Sequence, residues 1–159
     1  VSGNTINHQD VSFQYSRGRI YRIAGTIRLE GMAKGIEIHE AHFPGRAPVD
    51  AYGNGGFRFA DMSHRGSILC LPSGIYGWGL QQPVPMLADM GRILAESADI
   101  EILLVGTGEE LRLLPADVRQ ALRARHIVAD PMSTGAAVRT FNVLLGEGRA
   151  VAAALFAVE

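Results

Sequence analysis

The sequence predicts one α/β domain in which a hairpin-rich start joins a helix-covered sheet. Three observations carry this prediction. Apolar and polar residues alternate between positions 47 and 80; the apolar period lengthens to that of a helix from Pro83; and three helical stretches then separate short apolar strands. At 159 residues the chain has the size of a single domain. A domain of that size buries about 70% of the surface its unfolded chain exposes, so it needs no disulfide or metal to hold it.

The first thirty or so residues read differently from the rest. Val1 to Gly31 has weak periodicity, with Arg17, Arg19, Arg22 and Arg28 against only Asp10 and Glu30, and Met32-Ala33-Lys34 looks like a translation start. Residues 1–35 are therefore expected to be a mobile, disordered leader or extension ahead of a domain at 36–159. An acid-poor targeting peptide competes with that view, but Gly18, Gly25, Gly31 and Gly35 disfavour the amphipathic helix it would need.

Within the domain, Val49, Ala51, Phe57 and Phe59 alternate with Asp50 and Arg58, the period of half-buried strands. Asn54-Gly55 between them is a strong hairpin signal, because a tight two-residue turn demands positive φ. A second turn is expected over Asp61 to Gly66. It leads into the strand Ser67 to Leu71, stopped by Pro72-Ser73-Gly74, and a further strand from Ile75 to Leu80 carries Tyr76 and Trp78 on one face. From Pro83, Met86, Leu87, Met90, Ile93 and Leu94 make a helical stripe. A strand follows at Ile100 to Val105, then a helix over about Ala116 to Arg125 opened by Pro115, and a short strand at His126 to Ala129. A helix capped by Thr134 packs Ala137, Phe141, Leu144 and Leu145 inward. The last strand, Ala150 to Val158, is apolar on both faces and belongs in the middle of a covered sheet.

Composition excludes several functional classes. The 47% hydrophobic and 19% charged content is that of a globular domain, and a net charge of -1 leaves no basic footprint for nucleic acid. No stretch approaches the ~20 apolar residues of a membrane span. The N-terminus lacks the charged start and apolar core of a secretory signal, so the expected location is cytoplasmic. The single cysteine, Cys70, cannot form an internal disulfide and sits between Leu69 and Leu71, as a packing residue does.

No catalytic motif emerges. There is no Gly-x-Ser-x-Gly elbow. His39 and His42 have metal-ligand spacing but no nearby third ligand, and no metal or cofactor is expected. Asp61-Met62-Ser63-His64-Arg65 is the densest cluster of functional groups, yet a sharp turn selects Asp and Ser on its own account. The loop Gly106-Thr107-Gly108 follows an apolar strand, where backbone N–H groups can approach a phosphate. Glu109 and Glu110 beside it would repel an anion. A ligand cleft, if the protein is a small-molecule binder or enzyme, is expected at Gly106, Thr107, Gly108, Ser133, Thr134 and Asn142.

The ordered set Val105-Gly106-Thr107-Gly108, Pro115, Asp130-Pro131-Met132-Ser133-Thr134, Ala137, Thr140 to Leu144 and Glu147-Gly148-Arg149 resembles one known group. This is the small-domain family of unknown biochemical activity that includes mitochondrial NADH:ubiquinone oxidoreductase complex assembly factor 3. The resemblance covers about Ile36 to Val158, and the segments Tyr52 to Phe59 and Ser73 to Trp78 are similar to its bacterial branch. Phe141 departs from the tyrosine that many members carry. The resemblance implies a three-layer fold with a central mixed sheet and helices on both faces. It also implies assembly of respiratory complex I through protein partners, at the inner membrane in mitochondria. The leading expectation is thus a non-enzymatic partner-binding protein, cytoplasmic or held at the inner membrane by its partner, with Tyr76 and Trp78 as the candidate partner surface.

Overall fold

The computed structural model describes residues 43–80, 82 and 84–159, together with the backbone of residues 5–8, 11–16 and 19–23. Strands β1 (Thr5–His8), β2 (Val11–Ser16) and β3 (Arg19–Ile23) form an antiparallel meander in that order. Of the expected leader, only these strands are described. The remainder, with Met32-Ala33-Lys34 and the His39/His42 pair, lies outside the described residues.

The central sheet has six strands: β4 (Phe43–Pro44), β8 (Ser67–Leu71), β9 (Gly74–Trp78), β10 (Ile102–Gly106), β11 (Val128–Met132) and β12 (Val151–Leu155). Their order is β11-β10-β12-β8-β9-β4. The first three run parallel and the others pair antiparallel, so the sheet is mixed and open. A second sheet is a meander of β5 (Ala51–Gly53), β6 (Gly56–Phe59) and β7 (Met62–Arg65). Among the described residues three α-helices complete the domain: α1 (Gly91–Ala95), α2 (Ala116–Ala124) and α3 (Thr134–Gly146).

Alternation along the strands creates two cores. On one face Ile68, Cys70, Ile75, Leu104, Val151, Ala153 and Leu155 pack against Phe57 and Phe59 of the small sheet and Ala137, Val138 and Phe141 of α3. On the other, Leu69, Leu71, Trp78, Leu103, Val105, Ala152, Ala154 and Phe156 pack against Met90 and Ile93 around α1 and Val118 and Leu122 of α2. The result is three layers. β12 sits between β10 and β8 and is buried along its whole length, as its two-faced apolar run predicts.

Local chemistry shifts several boundaries. Six strands lie within residues 43–80, not four, because β4 is two residues long and β7 occupies the stretch expected to be a turn. The turn is tighter: Ala60 and Asp61 alone reverse the chain, at φ 48 and 62. The helix expected from Pro83 is a 3-10 turn over Leu87–Met90, then α1, then a 3-10 turn over Ser97–Asp99. Only Met90 and Ile93 of its stripe are buried, so little packing energy extends it. The cap of α3 is Ser133, whose side chain accepts the Ala136 N–H; Thr134 is the first helical residue. Asn54 and Gly55 form the expected hairpin turn, at φ 50 and 74.

Candidate functional site

The parallel strands end against the N-terminus of α3, and Gly106 makes that approach possible. A Cβ there would lie 2.9 Å from Thr134 Cα and 3.0 Å from Leu155 Cδ2. The junction brings Gly106, Thr107, Gly108, Ser133 and Thr134 together, but its polar groups are turned inward. Thr134 is fully buried; its hydroxyl donates to the Phe156 carbonyl at 2.7 Å and accepts the Gly108 N–H at 3.0 Å. The Thr107 hydroxyl lies 2.7 Å from the Glu110 carbonyl and 3.1 Å from that of Met132, and accepts the Arg112 N–H at 2.9 Å. The amides of Thr107, Gly108, Thr134 and Ala136 all have protein acceptors. These bonds fix the loop after β10. Asn142 is eight residues along α3 from Thr134, about 12 Å away. Its amide brackets the Val49 backbone, accepting the N–H at 2.9 Å and donating to the carbonyl at 2.8 Å.

Beyond the junction a shallow hollow of about 330 Å³ is lined by Thr107, Gly108, Glu109, Glu110 and Arg112. The same loop carries two leucines that face solvent: Leu111 is 59% exposed and Leu113 77%. Nothing in the helical or strand periods marks them. They stand out only because the bonds to Thr107 and the buried Leu114 hold the loop while leaving these two side chains outside.

Tyr76 and Trp78 do project from one side of β9, toward α1. Trp78 is 8% exposed, with its ring 5.1 Å from that of Phe156 and its N–H 3.4 Å from the Asp89 carbonyl. It belongs to the core. Tyr76 is half-buried beneath the Arg92 guanidinium, which sits 4.4 Å from the ring centroid. Its hydroxyl is 2.6 Å from Ser73 Oγ, which in turn donates to the Glu96 carboxylate at 2.8 Å.

The cluster at 61–65 is divided by strand alternation. His64 points inward with Phe57, whereas Ser63 and Arg65 point out with Arg58. Ser63 Oγ receives the Arg58 Nε–H at 3.4 Å, and no serine–histidine pair forms. His64 is buried and its Nδ1 has no partner, so burial lowers its pKa, partly countered by a hydrogen bond with the Ser67 backbone. The outer side of this sheet is a hollow of about 570 Å³, floored by Ala51, Gly53 and Gly56 and flanked by Arg58 and Arg65. At one rim Tyr52 lies against α3 so closely that a Cβ at Gly135 would collide with its hydroxyl. Cys70 is enclosed in β8, and burial pushes its thiol up to about 12. Among the described residues no group of three or more His, Cys, Asp or Glu side chains could hold a metal. Nor is any helix there long and apolar enough to cross a membrane.

Comparison with known proteins places this geometry among relatives. The profile of a family described as "Protein of unknown function (DUF498/DUF598)" matches residues 49–156. An uncharacterised protein of Rhodobacter capsulatus is 38% identical over 73% of this chain and 89% of its own. NADH dehydrogenase [ubiquinone] 1 alpha subcomplex assembly factor 3 of Mus musculus is 31% identical over 76% of this chain, which spans 65% of the mouse protein. A crystal structure described as an outer membrane protein from Bartonella henselae is 69% identical, with a TM-score of 0.73 over 74% of this chain and all of that one.

Proposed function

Because this chain belongs to the DUF498/DUF598 family, we propose that it is a non-enzymatic partner-binding protein that helps assemble a respiratory membrane complex of the complex I type. The observation that carries the reading is the loop after β10, which holds Leu111 and Leu113 in solvent on an internally bonded frame. An apolar pair on a pre-organised loop loses little conformational freedom when a partner covers it, and this is what makes an interface anchor effective. The mouse relative's name supports the choice of partner class. The location proposed with it is cytoplasmic, held at the inner membrane through the partner.

Capture of the tagged chain from its native cell, with mass spectrometry of what co-elutes, tests the reading. Subunits of a respiratory complex are expected. A metabolite that raises Tm in proportion to its occupancy, with no such subunits retained, would replace it with the small-molecule alternative. Fractionation in which the protein follows the outer membrane would overturn the proposed location.

A further inference from the structure

We propose that the outer face of the β5–β7 sheet docks an acidic segment of a protein partner, with Arg58 and Arg65 receiving its carboxylates. This rests on the partner-binding reading and gives that partner a chemistry. The register pairs Arg58 with Ser63 and Gly56 with Arg65, so the two arginines are diagonal neighbours on one face. Both are exposed, and among the described residues neither guanidinium has a carboxylate partner; Arg58 reaches only Ser63 Oγ. Beside them the floor of Ala51, Gly53 and Gly56 carries almost no side chain, which lets an extended backbone come close. The hollow is open and shallow, unlike the enclosed apolar pockets that take small ligands.

Carboxylates bound the face at both ends. Asp50 and Asp61 border the adjoining hollow beside Arg58, and the Glu159 carboxylate lies near Gly55, next to the Gly56 that pairs with Arg65. An incoming acidic segment is therefore confined to the Arg58–Arg65 diagonal itself, where the two guanidiniums stand on one face. Among the described residues β5 pairs only with β6 and forms the edge of this sheet, so an extended segment can lie along it. Two solvent-exposed guanidiniums give a weak contact that steers and orients, and salt screens it.

The probe is an octaglutamate peptide titrated into the isotope-labelled full chain and followed by amide chemical shifts. At about 50 mM salt, shifts are expected at residues 51–58 and 63–65, weakening when salt rises to about 300 mM. The doubly substituted Arg58→Glu/Arg65→Glu chain should bind at least about tenfold more weakly while keeping its circular dichroism and Tm, since both side chains are exposed. Octaglutamine, inorganic phosphate and phosphatidylglycerol vesicles should leave these amides in place. Absence of the octaglutamate shifts, or their persistence in the substituted chain, refutes the site. Equal shifts with phosphate or with vesicles also refute it, in favour of a small-anion or lipid site. If the substituted chain still captures respiratory subunits, this docking face fails while the partner-binding reading stands.

Discussion

Replacing Thr134 by valine removes one hydroxyl and almost no volume, and it separates a structural junction from a ligand cleft. Two contacts go with it: the buried 2.7 Å bond to the Phe156 carbonyl and the part-buried 3.0 Å bond from the Gly108 N–H. Each polar group left unsatisfied costs about 1–3 kcal/mol, and the added methyl returns at most about 0.8 kcal/mol. Gly108 is only partly buried, so water can relieve some of its loss. The expected destabilisation is about 2–4 kcal/mol by urea unfolding with an unchanged slope, while Thr134→Ser, which keeps the oxygen, costs clearly less. A loss below about 0.5 kcal/mol would show that the hydroxyl is dispensable to the fold, and would refute the assignment of this junction to structure.

Three further outcomes follow from the same geometry. Trp78→Ala should cost about 3–5 kcal/mol, because the ring is packed on Phe156 in the core; full stability in that variant would return Trp78 to the surface. Cys70 should resist a thiol reagent in the native protein and react quickly in denaturant, and rapid native labelling would contradict its burial. His64 has a folded pKa below its unfolded value, so the unfolded chain takes up the proton first. Stability should therefore fall as pH drops below about 6.5, by at most about 1.4 kcal/mol per pH unit from this residue. His64→Phe should flatten that part of the profile, and an unchanged slope would assign it to other groups.

The layered fold was readable because its signals are long or chemically specific. The apolar run of β12 told of a strand covered on both sides, and Asn54-Gly55 marked its turn through two positive φ values. β7 was hidden because the turn before it is Ala60-Asp61, a pair with no glycine to announce positive φ. At the candidate cleft, sequence order brought Gly106 to Gly108 beside Ser133 and Thr134, since strand ends and helix starts meet in parallel sheets. It could not reveal that both threonine hydroxyls are engaged by backbone. The exposed leucines and the Arg58–Arg65 diagonal were equally hidden. Exposure depends on which side of a loop faces the core, and the diagonal depends on cross-strand register.

The most direct test of the partner-binding account is Leu111→Ser/Leu113→Ser, assayed both by urea unfolding and by capture of respiratory subunits from the native cell. Both side chains are exposed, so the two substitutions should change stability by no more than about 1 kcal/mol in total. If the pair anchors an interface, their loss weakens the complex by 2 kcal/mol or more, roughly thirtyfold in affinity, and the co-eluting subunits disappear. Capture of the same subunits in undiminished amount by the substituted chain would contradict the account.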